Sequence, residues 1–247
     1  MNNRMSRFAA AVMIMAAFRY AQAYGPSFIN LQTPSIYADP AIEFTIQHRF
    51  GRIIGEPQSS SFFDGADVHT GAAVHFLKRL SLYTDFLSTS GEICFGAGYS
   101  HSIIARWLTV DLRGYYSNYA EKGSRRSAAV LLADALSELA AGRLWAGISG
   151  GYVAVDNYPL FGIGVILRTI STLDVIAEYC ASYSIARSPP AALTSNTMSW
   201  GIQFATYGHR FKFIVGNSAH AGFRYALAGG YKNSYRFGFS IQRLFQW

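Results

Sequence analysis

Charge is scarce in this sequence. Asp, Glu, Lys and Arg make up 14% of its 247 residues, against about 25% in an ordinary soluble domain. Cysteine is nearly absent. Cys94 and Cys180 are the only two, which excludes a disulfide-stapled scaffold and leaves two free, buried thiols as the expectation. Beyond residue 23 no apolar run approaches the roughly 20 residues of a membrane-spanning helix. The histidines His48, His69, His75, His101, His209 and His220 form no H-x-x-x-H or H-E-x-x-H pair, so no metal is expected. "GRIIG" (51–55) and "GISGG" (147–151) are followed by no lysine and open no helix, so they are not phosphate loops. They read instead as bends and places of close strand packing. No cofactor is expected.

The first 23 residues differ from the rest. Arg4 and Arg7 precede the short apolar run "FAAAVMIMAAF" (8–18), and "AQA" (21–23) follows. This is the order of a secretory signal peptide, with cleavage expected after Ala23. Of the net charge of +7, three positive charges (Arg4, Arg7 and Arg19) belong to this segment. What remains is modest, and in an exported chain it does not point to nucleic acid.

What the sequence has in abundance is aromatic residues, 15% in all, and alternation. In "AIEFTIQHRF" (41–50), Ile42, Phe44 and Ile46 share one face, and Glu43, Thr45, Gln47 and Arg49 the other. In "WLTVDLRGYYSNY" (107–119), Leu108, Val110, Leu112 and Tyr116 oppose Thr109, Asp111, Arg113 and Ser117. In "SYRFGFSIQRLFQW", Tyr235, Phe237, Phe239, Ile241, Phe245 and Trp247 share a stripe. Period two is the strand signal. It predicts strands over 41–50, 67–77, 79–88, 91–103, 107–120, 127–141, 143–155, 159–169, 173–185, 198–207, 210–217 and 234–246. The segment 127–141 is ambiguous, because its Ala and Leu favour helix.

The connections sort by length. Every long Gly/Ser/Pro-rich segment, such as 51–66 and 186–197, follows an odd strand, while the turns after even strands are uniformly tight. An outer-membrane barrel has short periplasmic turns at one end and longer external loops at the other. The expected fold is therefore all-β, a twelve-stranded antiparallel transmembrane β-barrel over 41–247. Residues 24–40 read as a lead-in that crosses the barrel mouth or lies along its wall, since Pro26, Pro34 and Pro40 discourage pairing.

Three segments resemble a family of uncharacterised bacterial β-barrel proteins known only as a domain of unknown function. "INLQTPSIYADPAIEFTIQHRFG" (29–51) is similar through His48, Arg49, Phe50 and Gly51. "FGIGVILRTISTLDVIAEY" (161–179) ends in Glu178 and Tyr179. "TYGHRFKFIVGNS" (206–218) is similar through Gly208, His209, Phe211, Asn217 and Ser218. The resemblance implies an exported barrel of the bacterial outer membrane. It brings no catalytic residues with it. A C-terminal aromatic also resembles the signal read by the barrel-assembly machinery.

The charged face carries the candidate site. Glu43, Arg49, Asp85, Asp111, Arg113, Arg168, Asp174 and Glu178 lie on the less apolar faces of their strands. A lipid-facing arginine at the midplane costs about 2–4 kcal/mol, so these residues are expected to line the lumen. They read either as selectivity charges of a small-solute pore or as a paired network that fills a narrow interior. The alternative function is a non-conducting structural or binding barrel. A membrane-embedded lipid hydrolase ranks third: His101 and the flanking Ser100 and Ser102 fall on opposite strand faces, where no nucleophile–base hydrogen bond can form. The chain is not expected to be an enzyme. Its expected partners are the bilayer and outer-leaflet lipids. The loop cations Arg52, Lys122, Arg125, Arg126, Arg187, Arg224 and Lys232 could meet lipid phosphates, though ordinary solvated charge is the first reading. Tyr99, Trp107, Tyr116, Tyr119, Tyr183, Phe245 and Trp247 are expected in interfacial aromatic girdles.

Overall fold

In the computed structural model, the described residues are 26–37, 39–54, 66–104, 107–121, 124–154, 157–181, 196–206, 208–218, 220–222, 229–230 and 233–247. Residues 1–23, the expected signal peptide, lie outside them, as do most of the long connections after β1 and β9.

Twelve strands form one closed antiparallel sheet. In chain order they are β1 (Ala41–Ile53), β2 (Asp67–Phe76), β3 (Leu80–Leu87), β4 (Glu92–Ile104), β5 (Leu108–Glu121), β6 (Ser124–Ala140), β7 (Leu144–Val153), β8 (Tyr158–Ile170), β9 (Leu173–Ala181), β10 (Thr197–Thr206), β11 (His209–Gly216) and β12 (Arg236–Gln246). Each strand pairs with its sequence neighbours, and β12 closes on β1 from Ala41 opposite Gln246 to Arg49 opposite Gly238. Closure leaves no unpaired edge, which hydrocarbon could not satisfy.

The helix-like composition of β6 is overridden. Leu108 to Glu121 of β5 pair with Ser137 to Ser124, and β7 pairs along its other edge. A helix here would orphan the backbone donors and acceptors of both neighbours. The tight turn after β2 has positive φ at Leu77 and Lys78. In the turn after β10, Gly208 takes φ +67°, where a side chain would be strained.

The outer wall is apolar. Phe44, Ile46, Leu82, Phe95, Leu112, Leu131, Ile148 and Phe213 are all exposed, a continuous surface that a soluble monomer does not carry. On β12, Phe237 and Phe245 are exposed, and Arg243 sits 4.9 Å over the Phe245 ring while bonding His209 Nδ1 at 2.8 Å. Tyr99, Trp107, Tyr116 and Trp247 are exposed, whereas Tyr119 is buried and packs in the interior cluster. The alternation explains that correction: Tyr119 shares its face with Asp111, Arg113 and Ser117. Tyr183 lies outside the described residues. Cys94 and Cys180 are both buried and free.

Candidate functional site

The inner face of the barrel is filled from two sources. The first is the wall itself. On β6 to β9, Val130, Leu132, Trp145, Leu160, Ile166 and Ile176 form an apolar cluster. The second is the segment before β1. Ser27 to Leu31 are buried. They bend back on themselves, with the Phe28 amide donating to Thr33 Oγ1 at 3.0 Å. The segment therefore goes further than crossing the mouth or following the wall: residues 27–33 enter the lumen.

Charged wall residues hold it there. Glu178 on β9 accepts the amides of Ile29 and Asn30, the latter at 2.9 Å. Arg49 on β1 donates to Asn30 Oδ1 at 2.8 Å, and the Asn30 side-chain amide donates to Ser199 Oγ at 2.8 Å. Lys212 on β11 donates to Ser27 Oγ at 2.7 Å and to the Phe28 carbonyl. Arg113 on β5 reaches Gln32 Oε1 at 2.5 Å and the Thr33 carbonyl at 2.8 Å. Phe28 lies against Gly147 and Gly164, where a Cβ on either glycine would meet its ring. A glycine in each strand thus makes the seat that admits an aromatic side chain.

The remaining candidate residues pair with the wall, and Glu43 also with Tyr37 of the segment before β1. Asp111 is buried beneath Arg113, which donates to it and lies 5.0 Å over the Tyr83 ring. Arg168 makes a two-pronged contact to Asp174 at 2.8 and 3.2 Å, and Gln203 adds a donor at 2.9 Å. His69 Nε2 lies 2.8 Å from Asp85. Glu43 accepts from Tyr37 and Gln242, each at 3.3 Å. Two sets therefore emerge. Arg49, Arg113 and Glu178 converge on the inserted segment, while Asp85, Asp174 and Arg168 engage wall partners. Buried charges require such partners.

A cavity of about 140 Å³ remains beside the segment, lined among others by Glu43, Gln47, His69, Arg210, Lys212 and Gln242. The Gln47 side-chain nitrogen and His75 Nε2 are buried there without a hydrogen-bond partner among the described residues. Among the described residues, no three side chains of His, Cys, Asp or Glu meet where a metal could sit. On β4, Ser100 is buried in the interior and His101 lies on the opposite face.

Sequence reasoning missed Lys212 and the inserted segment. Lys212 was readable from its alternation with Phe211 and Phe213 in "HRFKF". The segment carries no period, and its place depends on groups from five strands, β1, β5, β9, β10 and β11.

Residues 153–245 match a family described as "Membrane bound beta barrel domain (DUF5777)". The match takes in the segments 161–179 and 206–218 and leaves 29–51 outside. No curated protein matches the chain. Among solved structures, the KdgM porin in complex with disordered oligogalacturonate is similar at TM-score 0.56 and 9% identity, over 83% of this chain and 99% of that one. An outer membrane channel from Pseudomonas putida F1 is similar at TM-score 0.53 and 11% identity, over 90% and 100%. These likenesses concern the fold. The chain is a closed twelve-stranded antiparallel barrel of the outer-membrane type, and its C-terminal part matches a family of membrane-bound β-barrels.

Proposed function

We propose that this barrel is a pore for small solutes in the bacterial outer membrane. One observation carries the reading: an apolar outer wall encloses an interior that bears Glu43, Arg49, Asp85, Arg113, Glu178 and Lys212 and retains a polar cavity. A barrel whose only task was stability gains little from buried charges, because replacing them with packed apolar side chains is often neutral or stabilising. Charges on a lumen wall tune which solute passes. The porin and channel likenesses support the same reading. Residues 1–23 serve as the export signal, and the short turns face the periplasm. The aromatic C-terminus engages the barrel-assembly machinery, and Arg125 and Arg126 face outer-leaflet phosphates. No catalytic step is assigned.

The second reading, a non-conducting binding barrel, is favoured by the segment that fills the lumen. Single-channel recording of the refolded mature chain in a planar bilayer separates the two. Discrete current steps are expected, even if infrequent. Silence from protein that has demonstrably inserted overturns the pore.

A further inference from the structure

Residues 27–33 form no ladder with any strand. They are gripped as a ligand is gripped. A carboxylate, Glu178, takes two successive backbone amides. Cations from two other strands, Lys212 and Arg113, take the carbonyls of Phe28 and Thr33. An aromatic ring fills a seat made by Gly147 and Gly164, and Ile29 lies against Gly201. Polar groups read the backbone while a hollow takes one side chain, which is the division of labour in peptide recognition. The wall groups are also ready for exchange. The polar cavity runs alongside Ser27 to Thr33, so water can reach the wall charges when the segment leaves.

We propose that the lumen is a binding site for short peptides that carry an aromatic residue, and that residues 27–33 occupy it in cis as a displaceable plug. The plug is tied to β1 through Pro40, whose carbonyl accepts from the Trp247 amide at 3.4 Å. Tethering gives the plug an effective concentration in the millimolar range, so a free peptide competes at a disadvantage until the plug is disabled. The proposal rests on the pore reading for the solute's passage, and on the contacts alone for binding.

The test uses the full chain in detergent micelles and a fluorescein-labelled heptapeptide of sequence SFINLQT. In the variant Phe28→Asp with Ile29→Pro, the plug loses its ring and one amide while the wall stays intact. The peptide is expected to bind this variant with micromolar affinity, and the wild type about tenfold or more weakly. Adding Glu178→Gln is expected to weaken binding to the variant about tenfold. Saturable binding to the variant that disappears when the peptide's phenylalanine is changed to aspartate supports the proposal. No saturable binding to a variant that keeps a folded barrel's gel mobility overturns it, as does equal affinity for the wild type.

Hydrogen exchange on the wild type tests the plug even if the variant fails to fold. Excess peptide should accelerate exchange at Ile29 and Asn30 and leave β8 and β9 amides protected. Exchange at Ile29 and Asn30 that stays as slow as in β9 at every peptide concentration overturns displacement. Binding without bilayer currents leaves the site standing and removes the pore. Currents that no peptide blocks, with no binding, leave the pore and remove the site.

Discussion

The two halves of the lumen are built by the same alternation and end in different states. On β6 to β9 the inward positions include Val130, Leu132, Trp145, Leu160, Ile166 and Ile176, which pack into a solid cluster beside the buried Asp134, Asp174 and Glu178. On β1 to β3 and β11 to β12 they are Glu43, Gln47, His69, Asp85, Arg210, Lys212 and Gln242, which leave a cavity. Apolar side chains fill space without needing partners. Polar ones cannot close on one another dry unless each donor and acceptor is satisfied. The segment 27–33 lies between the two, packing Phe28, Ile29 and Leu31 into the apolar cluster while its length borders the cavity. Any passage therefore runs along the polar half.

A charge placed among the apolar side chains of β6 to β9 is expected to have the largest effect. Ile166→Asp leaves an uncompensated buried charge and is expected to destabilise the barrel by about 3–5 kcal/mol. Urea unfolding in micelles, followed by gel mobility, measures this. Next, Gly164→Leu fills the Phe28 seat without touching the ladder hydrogen bonds. Overpacking is expected to cost about 1–3 kcal/mol, mainly by ejecting residues 27–33, so the fraction of time the pore conducts should rise. An unchanged current record would show that the seat does not hold the segment. Asp174→Asn removes the two-pronged partner of Arg168 and weakens the Gln203 contact. A loss of about 2 kcal/mol is expected from its hydrogen bonds to charged groups, read by the same unfolding assay. Gln47→Leu, in the polar half, is the mildest. Its amide nitrogen has no hydrogen-bond partner among the described residues, so stability should shift by less than about 1 kcal/mol, and a larger loss would mean that the polar half is as tightly packed as the apolar one.

Much of the architecture was legible in particular residues. Ile42, Phe44 and Ile46 opposite Glu43, Gln47 and Arg49 placed β1 and both of its faces. The segment 127–141 was harder, because Ala and Leu speak for helix, and only its two neighbours make it a strand, β6. The candidate charges were legible as inward-facing, but their partners were not. Asp111 beneath Arg113 lies within one strand and follows from spacing. Glu178 with the Ile29 and Asn30 amides spans most of the chain.

Period, composition and loop length together determined a membrane barrel with a charged interior, since those features depend on local geometry and on the cost of polar groups in lipid. Closure of the barrel decided the rest. It brings Arg49, Arg113, Glu178 and Lys212, from β1, β5, β9 and β11, around one aperiodic segment. No local rule could place that segment, because its partners exist as a site only when β1 has met β12.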